Sequence, residues 1–155
     1  IRSSAQRRSL HFLSHLQQAD MRTHSVFRTI ACSPVMEGFE PDTHAAEQWS
    51  DPFKGGWIAH KQGSCIKFNV SGSIIMLQYR KTINKPAPVA YAVIDGDRQN
   101  KVLLDANFDE DWGDLCCLEE IYSGNKGEHT VEIVIDTEGK ENSNFMLISV
   151  ITANK

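Results

Sequence analysis

Residues 63–79 constrain the fold more than any other part of this 155-residue chain. They form two runs in which apolar and polar residues alternate, separated by Ser71, Gly72 and Ser73. Alternation with a period of two is typical of strands that bury one face, and a short separator that contains Gly is typical of a hairpin. The pattern therefore predicts a β-hairpin that reverses at Gly72.

Further alternating runs follow this stretch, with polar turns between them. Asp95 and Gly96 predict a tight turn with positive φ, while Gly124 and Gly127 predict the turn between two later runs. The strand candidates are residues 57–61, 64–70, 73–81, 88–95, 101–106, 115–122, 129–136 and 144–153. Eight short strands with polar turns predict an all-β fold, a jelly-roll-like antiparallel β-sandwich.

The start of the chain has a different pattern. Leu10, Leu13 and Leu16 form an apolar stripe at helical spacing, which predicts a helix over residues 3–20. We therefore expect residues 1–25 to be a helical lead-in, or the tail of an upstream domain, and residues 26–155 to be the β-sandwich. The first residue is Ile rather than Met, which suggests a fragment or a processed product.

Charge and hydropathy exclude several classes of protein. The net charge of −4 and the pI near 5.8 argue against a general nucleic-acid binder. The chain contains no run of 18 or more apolar residues, so the sequence predicts no transmembrane helix. The first residues also lack the pattern of a signal peptide. The four cysteines have no zinc-site spacing, so we expect them to be mostly free and partly buried. Free cysteines weakly favour an intracellular location, which stays open because an upstream signal could have been removed.

Several motifs occur in an order that is familiar from a known family. Trp57 comes first, followed by the Gly-Ser strand that begins at Gly63 and the Ser-Gly-Ser-Ile stretch at residues 71–74. Ala-Val-Ile-Asp-Gly at residues 92–96 and Gly-Glu-His-Thr-Val-Glu-Ile at residues 127–133 complete the set. Together they resemble the β-sandwich accessory domain of SGNH/GDSL-type esterases, which include carbohydrate esterases and acetylxylan esterases. The resemblance covers roughly residues 49–153.

The resemblance implies a non-catalytic role. A hydrolase of that family needs a nucleophilic Ser in a Gly-Asp-Ser elbow and a late Asp-x-x-His for the base. This chain has neither motif, since Arg98 follows its first Gly-Asp pair and Leu115 follows the second. We expect the chain to be no enzyme by itself, but an accessory domain that binds carbohydrate or shapes access to a catalytic esterase domain. The alternative is a structural docking or dimerisation domain, such as a homodimer, with no ligand of its own.

Residues 105–114 contain five carboxylates and the aromatic residues Phe108 and Trp112, and they provide the candidate ligand site. An aromatic ring can stack on the apolar face of a sugar, and carboxylates accept hydrogen bonds from its hydroxyls. The predicted ligand-binding residues are Trp112, Asp109, Asp111 and Asp114, with Tyr122 as a weaker member. The alternative is a solvated acidic loop with Phe108 and Trp112 tucked under the sandwich. So many carboxylates could also supply oxygen ligands for Ca²⁺, although the EF-hand pattern is not met.

Overall fold

The computed structural model describes residues 33–43, 53 and 55–154. The strands are β1 (Val35–Glu37), β2 (Glu40–Pro41), β3 (Trp57–Ala59), β4 (Cys65–Lys81), β5 (Val89–Ile94), β6 (Val102–Asp105), β7 (Leu115–Thr137) and β8 (Phe145–Ala153). One short 3₁₀ turn, Glu141–Ser143, precedes β8. The predicted helix over residues 3–20 lies outside the described residues. Within the described residues, no helix has the length and apolar character needed to cross a membrane.

Two long strands organise the fold. The hydrogen-bonded order is β2-β3-β8-β4-β7-β5-β6, with β1 added beside the first residues of β4. The first half of β4 pairs with β1 and with the last part of β7, whereas its second half pairs with β8 and with the first part of β7. Strand β5 joins the last part of β7. Because β4 and β7 both run through two layers, the sheet folds over on itself, and all strand pairs are antiparallel.

The core lies between these two layers. Inward positions of the first layer include Ile66 and Phe68, and those of the second include Leu77, all almost completely buried in one hydrophobic cluster. Trp57 of β3 packs edge-on against Phe68 of β4, with ring centroids 5.1 Å apart, and so joins the layers. The prediction of an all-β, jelly-roll-like antiparallel sandwich is confirmed.

The predicted hairpin at Gly72 is wrong. Strand β4 continues through this position, and Gly72 lies opposite Gly127 with a register shift just after it. The shift changes which residues face the core, from even-numbered ones such as Val70 to odd-numbered ones such as Leu77. A Cβ on Gly72 would lie 3.1 Å from the carbonyl oxygen of Ala153 in β8. Gly72 therefore marks a bulge and a close backbone approach rather than a turn, as glycines in strands often do.

The predicted turn at Gly124 and Gly127 is also wrong. Gly124 and Gly127 lie within β7, which continues without reversal from Leu115 to Thr137. The tight turn at Asp95 and Gly96 is confirmed, because both have positive φ (51° and 77°) and Asp97 N–H donates to the Ile94 carbonyl at 2.9 Å. Over residues 57–153 the structure thus has six strands, β3 to β8, where the sequence predicts eight, and two of the six are much longer than predicted.

Candidate functional site

The loop between β6 and β7 presents an aromatic side chain to solvent. Trp112 is 58% exposed, which is high for so large an apolar side chain. Phe108 supports it from the side in an edge-to-face contact, with centroids 5.1 Å apart and planes at 87°. The Phe108 N–H donates to the Thr82 carbonyl at 3.0 Å. Trp112 is therefore not tucked under the sandwich, and its ring is exposed to solvent.

Asn107 fixes the start of this loop. Its side-chain oxygen accepts from Ala87 N–H, and its amide group donates to the Ala87 carbonyl, both at 2.9 Å. The same amide donates to Asp105 Oδ1 at 2.8 Å, and the Asn107 N–H donates to that oxygen at 2.9 Å. The loop is thus tied to the Pro-rich segment before β5. Sequence reasoning missed Asn107, although an Asp-x-Asn pattern after a strand is a signal for such side-chain to backbone bonding.

The three predicted aspartates have different surroundings. Asp109 is highly exposed and pairs with Lys85, whose hydrogen bond and charge lower the pKa of that carboxyl. Asp114 accepts from the Ile83 N–H at 3.3 Å and lies 3.7 Å from Arg80 Nε. Asp111 is exposed. The carboxylates do not converge, and no metal-ligating group of three or more is present among the described residues, so the structure gives no support to a Ca²⁺ site there.

Tyr122 lies away from the loop. It is seven residues after the start of β7, a separation of about 23 Å along an extended strand. Its hydroxyl donates to the Asn125 carbonyl at 3.0 Å, and its ring lies against His129 with centroids 4.2 Å apart. The structure therefore brings Trp112 and the three aspartates onto one loop and leaves Tyr122 at another part of β7.

His129 holds the Asp95 turn in place through a contact between the two side chains. In the structure, Nδ1 lies 2.7 Å from Asp95 Oδ2, and the Thr130 N–H donates to Asp95 Oδ1 at 2.8 Å. A carboxylate can only accept, so Nδ1 donates. This contact links two of the motifs that carry the family resemblance.

A cluster of three polar side chains, Cys117, Glu119 and Lys81, lies beside the loop. Sequence reasoning missed it. Cys117 and Glu119 are on the same face of β7 as the core residues, because they are opposite Tyr79 and Leu77. Lys81, at the end of β4, interacts electrostatically with both. Burial raises the pKa of Glu119, and the charge of Lys81 opposes that rise only in part. The signal was the alternation Leu-x-Cys-x-Glu, which places Glu119 inward once the β7 register is known.

Comparison with known proteins places this fold. No protein-family model matches the chain, and no curated protein matches it. Among solved structures, it is similar to a two-domain esterase active on acetylated mannans, crystallised with mannopentaose: 42% identity, TM-score 0.75, covering 84% of this chain and 36% of that one. A further structure of a two-domain esterase active on acetylated mannans gives 42% identity and a TM-score of 0.73, over 83% and 35% of the two chains. A family two carbohydrate esterase from Cellvibrio japonicus, 14% identical with a TM-score of 0.52 over 81% and 34%, shares the fold.

The fold and these matches define a class. The chain spans about a third of the length of the esterases that it matches. It is a jelly-roll-like β-sandwich domain of the kind found in two-domain carbohydrate esterases. The resemblance to the accessory domain of SGNH/GDSL-type esterases, which the order of motifs predicted, is confirmed.

Proposed function

We propose that this chain is the non-catalytic accessory domain of an SGNH-type carbohydrate esterase, and that it binds polysaccharide through the loop that carries Trp112. The exposed Trp112 ring carries the proposal. An exposed aromatic ring that is braced by a second ring supplies an apolar platform for a sugar ring without a large loss of side-chain freedom on binding.

Polar groups around the ring fit a sugar ligand. Asp111 and Asp109 are exposed carboxylates within three residues of Trp112, and Lys85 adds donors beside Asp109. Sugar hydroxyls both donate and accept, so a mixed rim of carboxylates and an ammonium group suits them. Such a rim around an apolar centre is the usual composition of small-ligand sites. Asp114 anchors the loop by accepting a hydrogen bond from the Ile83 N–H.

The similar esterases suggest the ligand and the partner. Since a 42% identical two-domain esterase is active on acetylated mannans and was crystallised with mannopentaose, we take β-mannan oligosaccharides as the first probes. Because the chain matches only about a third of that protein, we infer a catalytic hydrolase domain on the same polypeptide. A homodimer stays a prediction.

Calorimetric titration with mannopentaose tests the binding half of the proposal. Trp112→Ala should weaken binding at least tenfold, about 1.4 kcal/mol, because a buried aromatic anchor typically contributes that much or more. Leu103→Ala is the matched control, since Leu103 is also a large exposed apolar residue (53%) but lies on β6. Equal affinities of wild type and Trp112→Ala, with both folded by circular dichroism, would contradict the assignment.

The coding sequence tests the second half. We expect an open reading frame that joins this chain to a domain with a Gly-Asp-Ser elbow and an Asp-x-x-His motif. A complete reading frame that encodes no hydrolase domain would contradict the accessory role and favour an independent binding module.

A further inference from the structure

The first part of β7 forms an open edge of the sandwich. Residues 115–123 pair with β4 on one side, and no other described strand pairs with them, because β5 joins β7 only at its far end. Inward-facing side chains on this edge strand are therefore next to solvent. Cys117 and Glu119 are only partly buried although they face the core side of the sheet.

Glu119 is a partly buried carboxylate on this edge. It makes no hydrogen bond or ion pair with the described residues, and burial raises the pKa of its carboxyl. Partial burial of a charge costs free energy unless a donor satisfies it, and carboxylates whose pKa is perturbed by burial occur preferentially at functional sites. Lys81, Tyr79 and Cys117 border it and interact with it electrostatically.

The cluster of Lys81, Cys117 and Glu119 is continuous with the Trp112 loop. Lys81 is opposite Leu115, where β7 begins, and Trp112 precedes Leu115 by three residues. Lys81 also acts on Asp109 of the loop, whose pKa its charge helps to lower. From Leu115 to Glu119 the extended strand covers about 13 Å. A monosaccharide on Trp112 does not reach Glu119, whereas an oligosaccharide that runs along the edge does.

We infer that the polysaccharide site extends from Trp112 along the open edge of β7, where Lys81 and Glu119 hydrogen-bond the hydroxyls of sugar units beyond the one stacked on Trp112. This inference rests on the proposed function. The carboxylate of Glu119 accepts from hydroxyls, and the ammonium group of Lys81 donates to hydroxyl and ring oxygens. The occupant is a neutral, extended glycan chain rather than a single sugar or an anion.

The test compares a long and a short ligand. Mannopentaose and mannobiose are titrated calorimetrically into the whole chain and into Glu119→Gln and Lys81→Met. Glu120→Gln is the matched control, because Glu120 is the next residue, is exposed, and points to the opposite face. Glu119→Gln keeps the length of the side chain and Lys81→Met shortens it by one atom while keeping an unbranched stem, so folding should be retained.

The expected pattern is selective. Glu119→Gln should weaken mannopentaose binding about tenfold, as expected for loss of a charged hydrogen bond, and leave mannobiose affinity unchanged within twofold. Lys81→Met should give the same selectivity, and Glu120→Gln should match wild type for both ligands.

Two results would overturn the inference, and they are distinguishable. If Trp112→Ala loses binding while Glu119→Gln and Lys81→Met keep wild-type affinity for mannopentaose, the extended site fails and the proposed function stands. If the wild-type chain binds neither ligand, nor other soluble plant or bacterial polysaccharide fragments, the proposed function fails and the extended site falls with it.

Discussion

The contact between Asp95 and His129 offers a stability test that is independent of ligand. Asp95→Asn keeps the shape of the side chain and tolerates the positive φ of 51° at this position. It also leaves one oxygen to accept from the Thr130 N–H. What it removes is the negative charge and the acceptor for His129 Nδ1.

The size of the effect follows from the two hydrogen bonds. Hydrogen bonds to a charged group contribute about 1.5–3 kcal/mol and neutral ones about 0.5–1.5, so losing the His129 bond costs about 2 kcal/mol and making the Thr130 bond neutral costs about 1 kcal/mol. The Asp95 side chain is 50% exposed, and solvent screening roughly halves such a contribution. We therefore expect Asp95→Asn to lower the free energy of unfolding at pH 7 by about 1.5 kcal/mol.

The pH dependence sharpens the test. The hydrogen bonds from His129 and then from Thr130 lower the pKa of Asp95 in the folded chain. A lowered folded pKa means that the stabilisation is complete above the unfolded value, near 3.9, and is lost as the pH falls through the folded pKa. The difference between wild type and Asp95→Asn should be present at pH 5 and shrink below about pH 4.

Urea unfolding followed by circular dichroism measures this difference. Asp136→Asn is the control, because Asp136 is exposed and should change stability by less than about 0.5 kcal/mol. No loss of stability in Asp95→Asn at pH 7, or a loss that persists unchanged to pH 2, would refute the role given to this carboxylate.

Two further predictions concern packing and thiol chemistry. Gly56→Ala should lower the free energy of unfolding in urea by about 3 kcal/mol, because its Cβ would overlap the Leu147 carbonyl oxygen. The Cβ of Gly63→Ala meets open space, so this control should cost only about 1–2 kcal/mol from its positive φ. Equal losses in the two variants would contradict the close approach at Gly56. Burial first, and then Glu132, raise the pKa of the Cys65 thiol to about 11. Alkylation of Cys65 at pH 8, measured by mass spectrometry, should therefore be about 100-fold slower in the native chain than in urea. Equal rates would contradict the raised pKa.

Local pattern predicted the class of fold because β-alternation and turn chemistry are local properties. The period of two in residues 64–70 and the Asp95-Gly96 turn needed no knowledge of the rest of the chain. The same pattern could not decide between a turn and a bulge at Gly72. Both use a Gly between two apolar runs, and the choice depends on β7 and β8, which are more than 50 residues away.

The candidate site was predictable in part for the same reason. Trp112 and its neighbouring aspartates are consecutive in sequence, so one loop carries them wherever it lies. Tyr122 follows Trp112 by only ten residues, yet the length of β7 carries it away from the loop. The alternation that includes Glu119 could not be interpreted from the sequence alone, because its inward direction depends on the register of β7 against β4 and its partial burial depends on the open edge.

An NMR titration of the ¹⁵N-labelled chain with mannopentaose tests the central claim most directly, because it locates a bound sugar without any substitution. The account predicts saturable shifts of the Trp112 indole N–H and of backbone amides in residues 109–119, while the indole of Trp57, which packs against Phe68 in the core, stays in place. Saturable shifts confined to another face would contradict the assignment of the site, and no shift with any glycan would contradict carbohydrate binding by this domain.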